Sequence, residues 1–482
     1  MRQAALLSAR VVLIAGPVAI AFFAGGFNDG PRDIALLVAG VVLAVLVMAT
    51  PAEHLVPRHP AARLALLAAV AYAGWIGLSA MWAPVRDYAG DDAERALLYA
   101  TVLAASAVAF ADRRAARLLE PAAGAGTVIV IGYGLAGRLF PGIVTEHPQV
   151  SAAGRLDQPL TYWNAVGAVA AIGIVLCARI AGDTDRPPAL RAAAASAAVP
   201  LGMGCYLSFS RGAVAALAAG LLTLALLAPT RAQLRASLLA VAGGACGALA
   251  AAAAPAARTL QASLAQRERE GAIIAAVTLA VMAAAALAGS RPLPRGRFSL
   301  PRGAGWGVAG AILALLVVPI AAAGGRQQVP PATGASNARF ASVGSNRYAY
   351  WRVAIDAGVH HPIIGVGASG FRTEWLKHRH IDENVRDAHS LELETFGELG
   401  LVGIALLGTL LGAVALSAGA AHRADPALAA GPAAVLALWA FHSAIDWDWE
   451  MPALTLLAVI FAGALLVRAG ERRPAAAVAG PR

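Results

Sequence analysis

In VRDAHSLELETFGELGLVG, residues 385–403, a histidine stands among carboxylates just where the chain turns into an apolar run. An imidazole there can accept a proton near neutral pH, and Asp387, Glu392 or Glu394 would raise the basicity of His389. Further ionisable or strongly polar groups lie beside apolar stretches: Arg211 in SFSRGAVAAL, Arg155 and the amide of Asn164 in RLDQPLTYWNAVG, His442, Asp446, Asp448 and Glu450 in FHSAIDWDWEMP, and Arg347 in RYAYWRV. An ionisable side chain costs roughly 2.5–3.5 kcal/mol in a membrane span, so each of these is a candidate for function. Guanidinium forks suit an anionic ligand. The residues taken singly leave other readings open: Arg211 snorkelling at an interface, Arg347 solvating a helix, His442 paired with Asp446 one turn away, His389 simply solvated.

Positioning these groups falls to membrane helices. Hydrophobic residues make up 59% of the 482 positions and charged ones 14%, with a mean hydropathy of +0.66, beyond what a water-soluble domain of this size tolerates. Roughly fourteen apolar stretches approach the ~20 residues needed to cross a bilayer: near 10–27, 34–51, 64–82, 96–112, 121–140, 161–181, 191–208, 212–228, 237–257, 271–289, 305–323, 399–421, 428–445 and 452–468. Hence the expectation is an all-α polytopic protein of about 12–14 spans. Arginines gather in alternate connections, such as Arg58 with Arg63, Arg113 with Arg114 and Arg117, and Arg231 with Arg235, and again in the tail at Arg468. By the positive-inside rule both termini are then cytoplasmic and the candidate groups collect on the outer face. RTLQASLAQRERE at 258–270 breaks that pattern.

The expected organisation is membrane helices over 1–323, an extracytoplasmic loop over 324–398, further spans over 399–468 and a cytoplasmic tail over 469–482. The loop is too long and polar for a turn, and function concentrates in such segments. Its first part, GGRQQVPPATGASNARFASVGSN, reads as irregular. From Arg347 the spacing of Tyr348, Trp351, Val353, Ile355 and Val359 predicts an amphipathic helix on the membrane surface. Pro362 and three glycines break it, and a second helix is expected from near Ala388 into the span at 399.

Several classes are set aside. The net charge of +10 lies in loops and tail facing anionic lipid, with no basic domain, so nucleic acid is not expected. Cys177, Cys205 and Cys246 fall in apolar helices and imply neither disulfides nor a thiol metal site. His360, His361, His378 and His380 lack the spacing that aims two ligands along one helix face, so no metal is expected. GVGASG at 365–370 has the letters of a nucleotide loop without a βαβ unit around it, and tight turning explains its glycines. So many spans follow the first apolar segment that it reads as a retained helix rather than a signal peptide.

His389, Ser390, nine residues, Gly400, two residues and Gly403 resemble the His-(Asn/Ser)-x9-Gly-x-x-Gly signature of the O-antigen ligase superfamily, which includes O-antigen polymerases and protein O-oligosaccharyltransferases. RYAYWRVAIDAGVHHPIIGVGASGF is similar to its segment just upstream, and SFSRGA to its Ser-Arg-Gly. Ser390 stands where Asn is commoner, and the spans outnumber the usual dozen. The resemblance implies an enzyme of the bacterial cytoplasmic membrane that transfers a glycan from a polyprenyl diphosphate-linked oligosaccharide to a glycan or lipid acceptor, without metal, nucleotide or other cofactor. By motif, His389 would take the acceptor's proton while Arg211 and Arg347 hold the diphosphate. Arg155, Asn164, His442 and Asp446 are further candidates for binding substrate. The alternative is a flippase or transporter of the same lipid-linked saccharide, which would place polar groups along the membrane midplane and often show internal repeats.

Overall fold

The computed structural model describes residues 2–323, 334–341 and 345–471. Most of the irregular start assigned to the long loop, at 324–333 and 342–344, and the tail from 472 lie outside the described residues. Helices α1 (Arg2–Ala21), α2 (Asp29–Ala49), α3 (Pro60–Ser79), α4 (Arg86–Ala109) and α5 (Arg113–Leu139) are followed by α6 (Trp163–Gly182), α7 (Pro188–Leu207), α8 (Arg211–Leu227) and α9 (Arg231–Ala252). Then come α10 (Pro255–Thr259), α11 (Leu264–Ser290), α12 (Ala304–Ala323), the single turn α13 (Ala338–Ala341), α14 (Arg347–His360), α15 (Phe371–His378), α16 (Leu391–Ala424), α17 (Pro426–Ser443) and α18 (Pro452–Arg468). All the apolar stretches of the sequence fall on helices. Ten helices are long and apolar enough to cross a membrane, and α8, α18 and the stretch Ala304–Val318 of α12 are shorter apolar segments. Among the described residues β-structure amounts to one isolated bridge, Thr230 to Arg297. The protein is an all-α polytopic membrane protein.

Helix α6 is the core: every residue from Asn164 to Gly182 is buried. The Ala-rich helices α7 and α9 pack closely because small residues let their backbones meet. A Cβ on Gly202 would lie 2.2 Å from Gly244 Cα, and one on Gly247 2.3 Å from Val199 O.

The connections 140–162, 208–210 and 444–451 meet at one end of this bundle. Leu156 N donates to Leu207 O at 2.8 Å, and Tyr162 Oη to Asp446 Oδ1 at 2.6 Å. Helices α14 and α15 cover the same end.

Helix α14 packs on the bundle through its small residues. Ile355 and Val359 are exposed, while Ala349, Tyr350, Val353, Ala354, Ala357 and Gly358 are buried. Small size, not bulk, decides this. A Cβ on Gly397 of α16 would lie 2.8 Å from Ala354 O, and one on Gly358 2.4 Å from the Phe396 ring, so the two helices touch along an alanine-glycine stripe.

Candidate active site

His389 does not lie inside α16. Ser390 is that helix's N-cap, its hydroxyl accepting from Leu393 N at 3.4 Å, and His389 precedes it with φ of +58°. That left-handed backbone is uncommon outside glycine and turns the imidazole off the helix axis. The ring is bracketed by Tyr350 of α14 at 5.2 Å and Trp447 at 6.5 Å between centroids. Trp351 Nε1 donates to His389 O at 3.3 Å. The Asn-or-Ser alternative in the signature thus has a physical basis, since both side chains cap helices well.

The glycines behind this histidine break α16 and seat a neighbouring strand of chain against it. Gly400 has φ of +64° and ψ of −160° within α16. Through that break Leu401 N donates to Pro362 O at 2.8 Å and Val402 N to Ile363 O at 3.2 Å. In return Val366 N donates to Gly397 O at 3.1 Å and Gly367 N to Glu398 O at 2.7 Å. Gly365 and Gly367 both have positive φ, and a Cβ at 365 would lie 2.2 Å from Glu398 O. The glycines of GVGASG therefore serve tight turning and close approach.

Asp446 is the hub of the polar site. It is fully buried and accepts from Tyr162 Oη at 2.6 Å, Asn164 Nδ2 at 2.8 Å and its neighbour Trp447 N at 2.9 Å. It also forms an ion pair with Arg347. Burial alone would lift its carboxyl, but Arg347 foremost, then His442, His389 and Tyr162, hold it below the usual range. Burial likewise works against the Arg347 cation, and Asp446, then Tyr162, more than restores it.

His442 does not pair with Asp446 across one helical turn. Its Nδ1 lies 3.0 Å from Asp448 instead, because the chain turns away after Ser443 and brings residue 448 back under the ring. The Arg155 guanidinium stacks on Trp163, 3.5 Å from the ring centroid, and donates to Ala152 O and Ser151 O at 2.6 and 2.7 Å. Asp157 accepts from Gln149 N at 2.8 Å.

Arg211 opens α8 just beyond Ser210, whose hydroxyl caps that helix by accepting from Ala213 N at 3.2 Å. Its charge interacts with those of Arg339 and Arg347 and with Tyr348. Arg347 and His389 feel each other and share Asp446. All seven candidates, Arg155, Asn164, Arg211, Arg347, His389, His442 and Asp446, thus gather at one end of the bundle.

The acids near His389 act differently from the expected way. The imidazole Nδ1 lies 3.1 Å from the backbone carbonyl of Asp387, Glu394 accepts from Ala388 N at 2.7 Å, and neither carboxylate pairs with the ring. Burial pushes His389 down to about 4; the pull of Asp446 upward is smaller, and Arg347 adds to the lowering. A carbonyl only accepts, so Nδ1 carries the hydrogen and Nε2 keeps its lone pair. The ring is a neutral base at neutral pH.

Two features escaped the sequence. Arg339, in α13, sits within reach of Arg155, Arg211 and Arg347 in charge terms. No spacing could have revealed it, since its neighbours come from three distant segments. The second feature is an acidic pocket beside the histidine. Asp387, Glu394 and Glu450 place carboxylate oxygens within 4.8 Å of one another, and Arg95 bridges Glu450, at 3.0 Å, to Asp92. Burial, then the Glu450 charge, raises Asp387 well above the usual carboxylate range. The histidines 360, 361, 378 and 380 line a surface cavity of about 610 Å³ between α14 and α15. His360 there is bonded to Asp356 O at 2.7 Å, and His378 lies 3.5 Å from Glu374.

No curated protein matches the chain. Residues 267–408, which hold Arg339, Arg347, His389, Gly400 and Gly403, match the family model described as O-Antigen ligase.

Proposed function

We propose that the protein is an inverting, metal-independent glycosyltransferase that moves a saccharide from a polyprenyl diphosphate carrier to a hydroxyl of a glycan or lipid acceptor, on the outer face of the cytoplasmic membrane. The observation that carries this is the convergence of a neutral imidazole, His389, with the Arg347–Asp446 pair and, through Arg347, with Arg211. His389 Nε2 takes the acceptor hydroxyl's proton while that oxygen attacks the anomeric carbon. The bond from that carbon to the phosphate oxygen breaks, and its electron pair leaves with the diphosphate, where guanidinium forks meet the new charge. One direct displacement inverts the anomeric centre, and a single base suffices.

The core of the bundle supports an enzyme over a transporter of the same saccharide. Buried α6 has charged or amide side chains only near its ends, at Asn164 and Arg179, whereas a transporter binds near the midplane.

The test is transfer by the purified, reconstituted protein from a polyprenyl diphosphate oligosaccharide, comparing wild type with His389→Ala and Arg211→Ala. A lost base reduces turnover by about 10²–10⁴-fold, and a lost cation by about 10²–10³-fold, with folding retained. Full activity in both variants would overturn the proposal. Product length separates polymerase from ligase, and the anomeric configuration reports inversion.

A further inference from the structure

Arg339 is carried to the site by a single turn that docks through aromatic and backbone contacts. Phe340 stacks on Tyr206 at 6.0 Å and meets Phe209 at 5.7 Å. Tyr206 Oη donates to Asn337 Oδ1 at 2.6 Å, and Ala335 N donates to Ala153 O at 3.1 Å. Of these anchors Ala153 lies two residues before Arg155 and Phe209 two residues before Arg211. The turn therefore holds Arg339 between the loop of Arg155 and the start of α8.

Its surroundings are cationic. Arg155, Arg211 and Arg347 all interact with its charge, and its Nε is buried with no hydrogen-bond partner among the described residues. Like charges held together away from water repel strongly. Burial first, then Arg347, weakens the hold of Arg339 on its own proton. An anion with several oxygens at this point would turn that cost into binding.

We propose that Arg339 is a diphosphate-binding residue whose guanidinium meets the charge released as the glycosyl bond breaks. The inference rests on the diphosphate reading above and deepens it. In the donor, each phosphate of the diester bears one negative charge. Once the sugar has left, the carrier is a diphosphate monoester whose terminal phosphate has a further ionisation at about pH 6, so it gains charge at neutral pH. A cation placed there favours the transition state and the released carrier over the bound donor.

The experiment titrates the purified full-length protein in detergent with inorganic pyrophosphate at fixed ionic strength. Wild type is compared with Arg339→Ala, Arg339→Lys and Arg352→Ala; Arg352 is an exposed arginine of α14 that controls for net charge. Arg339→Ala should weaken pyrophosphate binding about 10-fold, Arg339→Lys less, and Arg352→Ala not at all. In the transfer assay Arg339→Ala should lower kcat more than it raises KM. Wild-type pyrophosphate binding by Arg339→Ala, a loss no larger than that of Arg352→Ala, or no binding by wild type would overturn the inference. Arg339-dependent binding together with full transfer by His389→Ala would instead sink the catalytic reading and leave the anion site standing.

Discussion

At the scale of residues, the site is a contest between burial and charge. His389 is neutral because losing water costs its cation more than Asp446 returns. Its base form is therefore filled above about pH 4 in the free protein, where a solvated histidine would lose half of it near 6.5. The acid limb of kcat/KM, which reports the free enzyme, should accordingly fall as pH drops through about 4 and not through 6.5. A bound diphosphate adds negative charge, so the limb of kcat should lie higher. Asp446→Asn removes the main charge that raises His389 and should move the kcat/KM limb to still lower pH. A shift to higher pH in a pH-rate profile would show that Asp446 does not act on the imidazole. The same variant strands Arg347. Breaking a buried pair costs about 3–5 kcal/mol, and since the Arg347 side chain keeps 23% of its exposure the loss should fall at the lower end.

At the scale of elements, the start of α16 is a positioning device. Ser390 caps it, Gly400 breaks it, and the chain from Pro362 to Gly367 fills the break. Gly400→Ala would place a Cβ 2.4 Å from Ile363 O at φ and ψ that only glycine adopts readily. Strain of this kind costs about 1–3 kcal/mol before the clash is added, so thermal unfolding in detergent should shift down and transfer should fall with it. Ser390→Ala should cost about 1 kcal/mol for the lost cap, and Ser390→Asn little. Were Gly400→Ala as stable and active as wild type, the break would not be holding His389 in place. The resemblance to the superfamily was legible here because the signature is a set of local requirements: a cap, a helix break and two close approaches, each demanding a residue type at a fixed spacing. Which residues of α14 meet the bundle was not legible, because their partners, Phe396 and Gly397, lie on a helix some forty residues away.

At the scale of the whole molecule, the orientation of the bundle sets which side of the membrane the site faces. Helix α16 has 34 residues, about 50 Å at 1.5 Å per residue, enough to carry the chain from one surface to the other. His378, exposed on α15, lies at the site end; Arg423 lies in the last turn of α16. With exposed Cys246 replaced by serine, a cysteine at 378 should react with a membrane-impermeant maleimide in intact cells. One at 423 should react only after permeabilisation. The reverse pattern would put the site inside the cell and remove the outer-face reading.

By itself the sequence determined that the chain lies in a bilayer, where its helices run, and which kinds of group meet at their ends, because hydropathy, capping and glycine spacing are properties of neighbours along the chain. Only the tertiary structure decided the partners. Asp446 turned to Arg347, Tyr162 and Asn164 rather than to His442, the acids beside His389 bonded backbone amides or one another's surroundings rather than the ring, and Arg339 joined the cationic cluster from an unremarked turn. Charge and hydrogen bonding act over a few ångströms of space, and the distances that matter here separate residues hundreds of positions apart.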